Sequence, residues 1–444
     1  MMEVEEILKE GLKRVYSVKV SPDEIESRFL HKLQHIGKTA KIQGFRPGKA
    51  PLTVIKQRFG ESVRGEVLEE LISEKTAETL KERNLRPAVQ PDVEITKYEE
   101  GNSFEFKFET EILPEIKHKS FSEIRLKRFT AEINGVTVDK TIEAIARDII
   151  GPEKAEEQRP AREGDTLIID MDGSVDGESL PGMKGDSLRI TLGSKAFVGD
   201  FEDQLVGARS GDKKEVTVNF PAGFHLEHMA GKTAVFKVEV KDLLEHKPVE
   251  INDSLAKRLE FESAEDLRRH ISGILAKRYA DVSRSVLKRH LMDKLADLYD
   301  FPVPESVLKA EFESIWKQVQ KEKKEGRIDE SEAKKTDNEL RREYQKIAER
   351  RLRLGLLFAD IAQKNDINVT QSDLNNAIMN EARRFPGREK AVIDYYVKNK
   401  DARDRLYAPA LEDKVIDFIL SQIDITEDKV TVEELERLAE EAEK

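Results

Sequence analysis

The feature that most constrains this chain is a turn at residues 44–51, with the sequence Gly-Phe-Arg-Pro-Gly-Lys-Ala-Pro, which we name the docking turn. Helical periodicity leads into it and out of it. Glycine reaches backbone angles that other residues avoid, whereas proline fixes φ and ends helices. The sequence therefore predicts a tight turn that directs Phe45 outward between Arg46 and Lys49. An exposed phenylalanine between two cations contributes little to a core and suits docking on a large surface that is anionic and partly apolar.

The docking turn lies in a basic window, residues 31–58, which contains no Asp or Glu. Five lysines and two arginines give this window a charge of +7, although the net charge of the whole chain is −12. The chain as a whole is therefore unsuited to coating nucleic acid, whereas the window can meet phosphates through additive, salt-sensitive contacts. A solvated basic face is the alternative, but the Gly- and Pro-rich turn with its Phe favours docking. A P-loop is excluded, because only three residues separate the glycines and Ala50 follows the lysine.

Residues 1–112 are predicted to form an α+β domain. Alternating apolar residues indicate strands at Tyr16–Val20 and Phe104–Phe108. Ser21, followed by a proline and then by Glu24, predicts a capping box at the start of an amphipathic helix. A second helix is predicted over 61–83. The domain should be a small antiparallel sheet with helices packed on it and the docking turn at one end.

The docking turn closely resembles the ribosome-docking signature of the trigger factor family, bacterial chaperones found at the polypeptide exit tunnel. The resemblance implies that Phe45, Arg46 and Lys49 contact the large ribosomal subunit, both protein and rRNA, beside the tunnel exit. The residues implied in docking are Gly44, Phe45, Arg46, Pro47, Gly48, Lys49 and Pro51. Composition alone predicts only docking on an anionic surface.

Residues 113–150 are interpreted as a linker that packs on the C-terminal body, and residues 151–246 change to short strands and glycine turns. The segment 192–211 resembles the strand-helix-strand centre of FKBP-type prolyl isomerases. In that family one short helix crosses a half-barrel sheet, and apolar and aromatic side chains line the gap. The resemblance implies a catalytic pocket formed by Val198, Phe201, Phe224 and Phe236.

The chain departs from the isomerase family at several pocket positions. Met171, Leu180 and Leu188 stand where aromatic residues are common, and residues 198–201 read Val-Gly-Asp-Phe instead of the more usual Ile-Pro-Gly-Phe. These changes thin the aromatic lining and predict weak activity with the fold retained. Ordinary core packing is the alternative role for each phenylalanine.

Isomerisation of an Xaa-Pro bond makes and breaks no covalent bond, but it must overcome a rotation barrier of about 18–20 kcal/mol. A dry apolar pocket that favours the twisted imide lowers this barrier, so no cofactor and no metal are expected. The histidines suggest no metal site either. His31 and His35 have no carboxylate partner nearby in the sequence, and His225 and His228 fall in a loop at the expected pocket rim.

Residues 247–444 are predicted to be helical almost throughout, with breaks near Gly326, 365–370 and 386–387. Between 317 and 353 the chain is dense in Lys, Arg and Glu, so these helices should project as arms held by charge pairs and a narrow apolar seam. Such arms suit a cradle for unfolded chains, which the resemblance to trigger factors also implies. A bundle used for dimerisation is the alternative. The acidic stretch Glu427–Lys444 is expected to be loosely held.

The predicted fold class is therefore α+β multidomain: an α+β docking domain, an FKBP-like half-barrel crossed by a helix, and an all-α C-terminal body with projecting arms. The length of 444 residues fits about three domains. The chain has no cysteine and an acidic N-terminus. No apolar run is long enough to be a signal peptide or a membrane span, so a cytoplasmic protein without a membrane partner is expected.

Taken together, the resemblances imply a ribosome-associated chaperone that binds nascent and unfolded polypeptides and isomerises Xaa-Pro bonds. The exposed apolar surface of a cradle would also permit a homodimer when the chain is free of the ribosome. One alternative is a free FKBP-type isomerase whose helices only recruit substrate. Another is an RNA-binding scaffold that uses the basic window on naked RNA.

Overall fold

The computed structural model describes residues 3–40, 45, 49–155, 159–175, 183–220, 231–247 and 249–443. The chain divides into two compact units, one of Met1–Leu126 with Lys288–Ile425 and the other of Lys127–Leu287 with Thr426–Lys444. Among the described residues, no helix is both long enough and apolar enough to cross a membrane.

The first unit begins with an antiparallel sheet packed against two helices. Its elements are β1 (Glu3–Glu10), β2 (Lys13–Val20), α1 (Pro22–Thr39), α2 (Leu52–Glu82), β3 (Asp92–Lys97) and β4 (Phe104–Glu111). The strand order is β1-β2-β4-β3. The predicted alternation is confirmed, because Tyr16, Val18 and Val20 on β2 and all three phenylalanines of β4 are buried. These side chains form one core with the apolar faces of α1 and α2.

The two helix starts differ in detail from the predictions. α1 begins where expected, but the Ser21 side chain makes no cap hydrogen bond, so the predicted capping box is wrong. The Glu24 carboxylate that would complete the box binds Arg28 and Lys75 instead. α2 begins directly after the docking turn, at Leu52, and not at 61. It starts there because the carbonyl of the last proline of the turn accepts the first backbone hydrogen bonds of the helix.

A five-stranded antiparallel sheet forms the inserted domain of the second unit. The elements along this part of the chain are β5 (Arg125–Ala131), α3 (Gly135–Ile150), β6 (Glu153–Lys154), β7 (Thr166–Val175), β8 (Lys184–Thr191), α4 (Phe201–Leu205), β9 (Lys213–Asn219) and β10 (Thr233–Glu245). The order in the sheet is β6-β10-β7-β8, and β9 also pairs with β10. All four strands predicted for this domain are present, and the short helix α4 packs Phe201 and Leu205 into the core of the sheet.

The C-terminal region is mostly helical. Its elements are α5 (Asp253–Arg258), α6 (Ala264–Leu298), α7 (Glu305–Lys324), α8 (Glu330–Ala333), α9 (Asp337–Lys364), α10 (Gln371–Ala382), α11 (Glu389–Lys398), α12 (Lys400–Asp404), α13 (Tyr407–Leu420), β11 (Asp424–Val430) and α14 (Val432–Glu443). The three predicted breaks are confirmed. The narrow apolar seam is confirmed too, because Trp316 and Val319 of α7 pack with Leu340 of α9. Lys323 pairs with Asp337 at 2.7 Å beside this seam.

The acidic stretch that was expected to be loosely held is instead part of the core of the second unit. β11 pairs with β5, and Leu435 of α14 is fully buried beside Ile142 and Leu267. The expectation was wrong because α14 is amphipathic: a narrow apolar stripe packs inward while Glu433, Glu440 and Glu441 are exposed.

Candidate functional site

The docking turn leads directly into α2. The structure describes Phe45, Lys49 and Pro51 of this turn. The other predicted docking residues, Gly44, Arg46, Pro47 and Gly48, lie outside the described residues. Phe45 is 41% exposed. Docking requires an exposed ring, whereas a role in the core would require a buried one. Leu52, which the sequence did not single out, is 39% exposed. Its position after a proline, as the first apolar residue of a helix, was the available signal.

Part of the basic window is already paired with carboxylates of the same domain. The Lys32 ammonium lies 2.7 Å from the Glu70 carboxylate of α2, and Lys56 lies 3.7 Å from a carboxylate in the β3–β4 loop. Lys38, six residues before the docking turn, and Lys49, within it, are exposed. Neither forms an ion pair with any residue that the structure describes. The positive charge left for a partner is therefore concentrated beside the docking turn.

Partly buried charges hold α1 and α2 together. The Arg64 guanidinium lies 4.2 Å from the centroid of the Phe29 ring and donates a hydrogen bond to the Tyr98 hydroxyl at 3.2 Å. The Arg64 side chain is only 12% exposed. Further along the pair, Arg28 donates two hydrogen bonds to Glu74, at 2.7 and 2.8 Å. The contacts of Arg64 with Phe29 and of Arg28 with Glu74 hold α2 against α1, and the hydrogen bond to Tyr98 holds α2 against the β3–β4 loop.

Three of the four predicted pocket residues meet in one apolar cluster of the five-stranded sheet. Phe201 is 1% exposed, and its ring meets Phe236 edge-on with centroids 5.4 Å apart. Val198 is half-buried and packs against the same core. Phe197, which sequence reasoning missed, stacks on Phe201 at 5.0 Å and 21°. Phe224, the fourth predicted residue, lies outside the described residues.

The neighbourhood of this cluster explains how Phe236 is accommodated. A Cβ atom on Gly173 would lie 2.5 Å from the Phe236 ring, so only glycine lets that ring lie against β7. Met171 is buried and Leu188 is half-buried in the same core, at positions where the isomerase family often has aromatic residues. Leu180 lies outside the described residues. The described lining therefore contains two aliphatic side chains at positions where aromatic residues are common.

Helix α4 also carries a buried carboxylate that sequence reasoning missed. Glu202 is 5% exposed and accepts hydrogen bonds from the Ser194 hydroxyl and from the backbone N–H groups of residues 195–197. Burial alone would raise the pKa of this carboxyl, but the four donors outweigh burial and lower the pKa. Glu202 is therefore ionised at neutral pH.

Comparison with known proteins covers the whole chain. Models described as bacterial trigger factor protein match residues 2–145 and, for its C-terminus, residues 263–421. The trigger factor of Rhodospirillum centenum is 44% identical over 442 residues, which is 100% of this chain and 99% of the relative. The chain belongs to the bacterial trigger factor family. The trigger factor of Paramagnetospirillum magneticum is also 44% identical, over 99% of this chain and 95% of its own.

The model of FKBP-type peptidyl-prolyl cis-trans isomerases matches residues 157–241, which include the aromatic cluster. The fold is shared with the solved structure "Promiscuous Substrate Recognition in Folding and Assembly Activities of the Trigger Factor Chaperone". That chain is 21% identical with a TM-score of 0.53, and the match covers 94% of this chain and 99% of that one. This member of the trigger factor family is a ribosome-associated chaperone that carries a prolyl isomerase domain, as the sequence resemblance implied.

Proposed function

We propose that the docking turn binds the large ribosomal subunit beside the exit tunnel, on both protein and rRNA. The proposed contact residues are Gly44, Phe45, Arg46, Pro47, Gly48, Lys49 and Pro51. The exposure of Phe45, 41%, is the observation that carries this proposal. Lys38 and Lys49 supply a salt-sensitive attraction. Burial of the Phe45 ring in a pocket on the partner adds roughly 1.5–3 kcal/mol that salt does not remove.

Co-sedimentation with ribosomes at low and high salt tests the docking proposal. The Phe45→Ala, Arg46→Ala, Lys49→Ala triple variant should lose binding at both salt concentrations while its circular dichroism stays unchanged. The matched control is Ile95→Ala with Lys97→Ala on β3, where an exposed apolar residue and a cation are removed away from the docking turn. Equal binding by wild type and triple variant would contradict the proposal. Binding by neither would also contradict it and would favour a free isomerase.

We also propose that Val198, Phe201, Phe224 and Phe236 line the pocket in which the Xaa-Pro bond is isomerised. The support is the edge-on contact of Phe201 and Phe236 in a buried apolar cluster, which offers an apolar floor to a proline ring. Phe201→Leu in the full chain should lower kcat/KM for an Xaa-Pro peptide. Phe106→Leu, the same change in the N-terminal core, should leave kcat/KM unchanged. Full activity in Phe201→Leu would contradict the pocket.

We propose four regions along the chain. Residues 1–112 dock on the ribosome, 113–150 form a linker on the C-terminal body, 151–246 form the isomerase, and 247–444 form the cradle for nascent and unfolded chains. The linker role is supported by two contacts: the Lys119 N–H donates to the Tyr299 hydroxyl at 3.1 Å, and His118 Nε2 lies 2.5 Å from Asp360. A cytoplasmic location and homodimer formation away from the ribosome belong to the same proposal.

A further inference from the structure

Glu202 lies in the first turn of α4 with a side chain only 5% exposed. No cation among the described residues pairs with it. Its Oε1 accepts hydrogen bonds from the Ser194 hydroxyl at 3.0 Å, the Ala196 N–H at 2.8 Å and the Phe197 N–H at 3.1 Å, and its Oε2 accepts from the Lys195 N–H at 2.9 Å. Donors from four consecutive residues therefore converge on one carboxylate.

These hydrogen bonds hold a loop whose backbone is strained. Lys195 has φ +55°, in the left-handed region that residues other than glycine rarely adopt. The N–H of this residue is the one that binds Oε2 of Glu202. A buried carboxylate without a cation is itself costly, and convergent N–H donors compensate for that cost. The loop conformation and the buried charge therefore stabilise each other.

The loop leads directly into the aromatic cluster. Phe197 is the last of the four donors, and its ring stacks on Phe201 at 5.0 Å. Phe201 is the residue before Glu202 on α4, and its ring also meets Phe236. Glu202 thus ties the loop to the helix that supplies the central ring, and any shift of this loop moves Phe197 and Val198 relative to Phe201.

We propose that Glu202 is a positioning residue of the isomerase, which holds the Phe197 loop against Phe201. The inference rests on the isomerase pocket proposed above. Since isomerisation uses no nucleophile and no metal, the placement of apolar walls is the main catalytic resource of the pocket. A displacement of about 1 Å in a positioning group can cost up to about 100-fold in rate.

A double-mutant cycle in the full chain tests this role. Glu202→Ala and Phe197→Ala should each lower kcat/KM for an Xaa-Pro peptide by about tenfold. The double variant should lose less than the product of the two single losses, because residues that act through one contact are not additive. Glu202→Gln keeps one acceptor oxygen and should lose only about threefold. Amide hydrogen exchange at residues 195–197 should be slowest in the wild type, intermediate in Glu202→Gln and fastest in Glu202→Ala.

The matched control is Asp165→Asn, the isosteric neutralisation of another buried carboxylate of this domain. Asp165 is 7% exposed and accepts the Arg162 N–H at 2.8 Å. It lies just before β7, about 25 Å along the strand from Gly173, which contacts Phe236. Asp165→Asn should leave kcat/KM unchanged even where it lowers stability.

Losses that add in the double variant, or an unchanged kcat/KM in Glu202→Ala, would overturn the positioning role. If Glu202→Ala does not fold, the cycle is run with Glu202→Gln, where unchanged amide exchange or unchanged kcat/KM has the same meaning. The Phe201→Leu variant separates the two failures. Full activity in Phe201→Leu would refute the pocket itself. A lower kcat/KM in Phe201→Leu with an unchanged kcat/KM in the Glu202 variants would refute only the positioning role.

Discussion

Replacing Arg64 with methionine should loosen the pair of helices that flanks the docking turn. Methionine keeps an apolar stem over the Phe29 ring, so the loss is mainly that of the guanidinium. The stacked cation, 4.2 Å from the ring centroid, contributes about 1 kcal/mol at a partly buried site. The hydrogen bond to the Tyr98 hydroxyl contributes about 1 kcal/mol. The ion pair with Glu100 adds less than about 0.5 kcal/mol, because that glutamate side chain is 66% exposed.

The expected cost is therefore about 2 kcal/mol, which corresponds to roughly 30-fold faster opening. Amide hydrogen exchange over the middle of α2, which loses both contacts, measures this opening locally in the full chain, without requiring the whole chain to unfold in two states. Lys32→Met is the matched control, because its partners Glu66 and Glu70 are 52% and 62% exposed. Exposed pairs of this kind contribute less than about 1 kcal/mol, so exchange should rise by less than about fivefold.

We expect burial to separate strong from weak charge contacts in this helix pair. That expectation would be refuted if Arg64→Met and Lys32→Met accelerated exchange equally, or if neither had any effect. A large effect of Lys32→Met alone would show that the exposed ion pair, and not the stacked guanidinium, holds the helices together.

Two further predictions concern the second unit. The Asp165 and Glu202 carboxyls have lowered pKa values in the folded domain, because hydrogen bonds from Arg159 and from the 194–197 loop outweigh burial, which alone would raise them. The ionised carboxyls stabilise the folded domain at pH values above the ordinary carboxyl pKa, and this stabilisation is lost as the pH falls through their folded pKa values. The thermal midpoint of the domain should therefore drop below about pH 4. Asp165→Asn should flatten this dependence of the midpoint on pH. Leu435→Ala should destabilise the helical core around α14 by about 2–5 kcal/mol, seen as faster hydrogen exchange in α3; an unchanged rate would mean that α14 is loosely held after all.

Local periodicity is sufficient to place most of the regular elements. Phe104, Phe106 and Phe108 alternate with polar residues, and all three are buried in the strand that this pattern predicts. Sparse apolar residues among the dense charges between 317 and 353 likewise predict a narrow seam, which Val319 and Leu340 help to form, because only a narrow stripe of such a helix can be buried. In both cases the residues that form the predictive pattern lie within a single strand or helix.

Contacts between distant residues cannot be found in this way. The pairing of Lys32 with Glu70 spans 38 residues, and nothing near Lys32 marks it as already neutralised. β11 has an acidic sequence with low strand propensity, and its pairing is decided by β5, about 300 residues earlier, where Lys127 lies 3.3 Å from Asp428. The Glu202 site is local, yet it depends on a left-handed backbone at Lys195 that the residue type does not indicate.

The distribution of charge along α2 explains how a chain of net charge −12 can dock on an anionic surface. Helices rise about 1.5 Å per residue, so Glu70 lies about 27 Å from the start of α2 at Leu52. Attraction between exposed charges is screened beyond about 10 Å at 0.1 M salt, and carboxylates at that distance do not cancel the cations beside the docking turn. A new carboxylate should therefore weaken ribosome binding only within that range. Thr53→Glu should reduce affinity in low salt, whereas Ala77→Glu, an exposed position about 36 Å further along the same helix, should not. Equal losses in the two variants would show that the net charge of the chain, and not its local arrangement, governs docking.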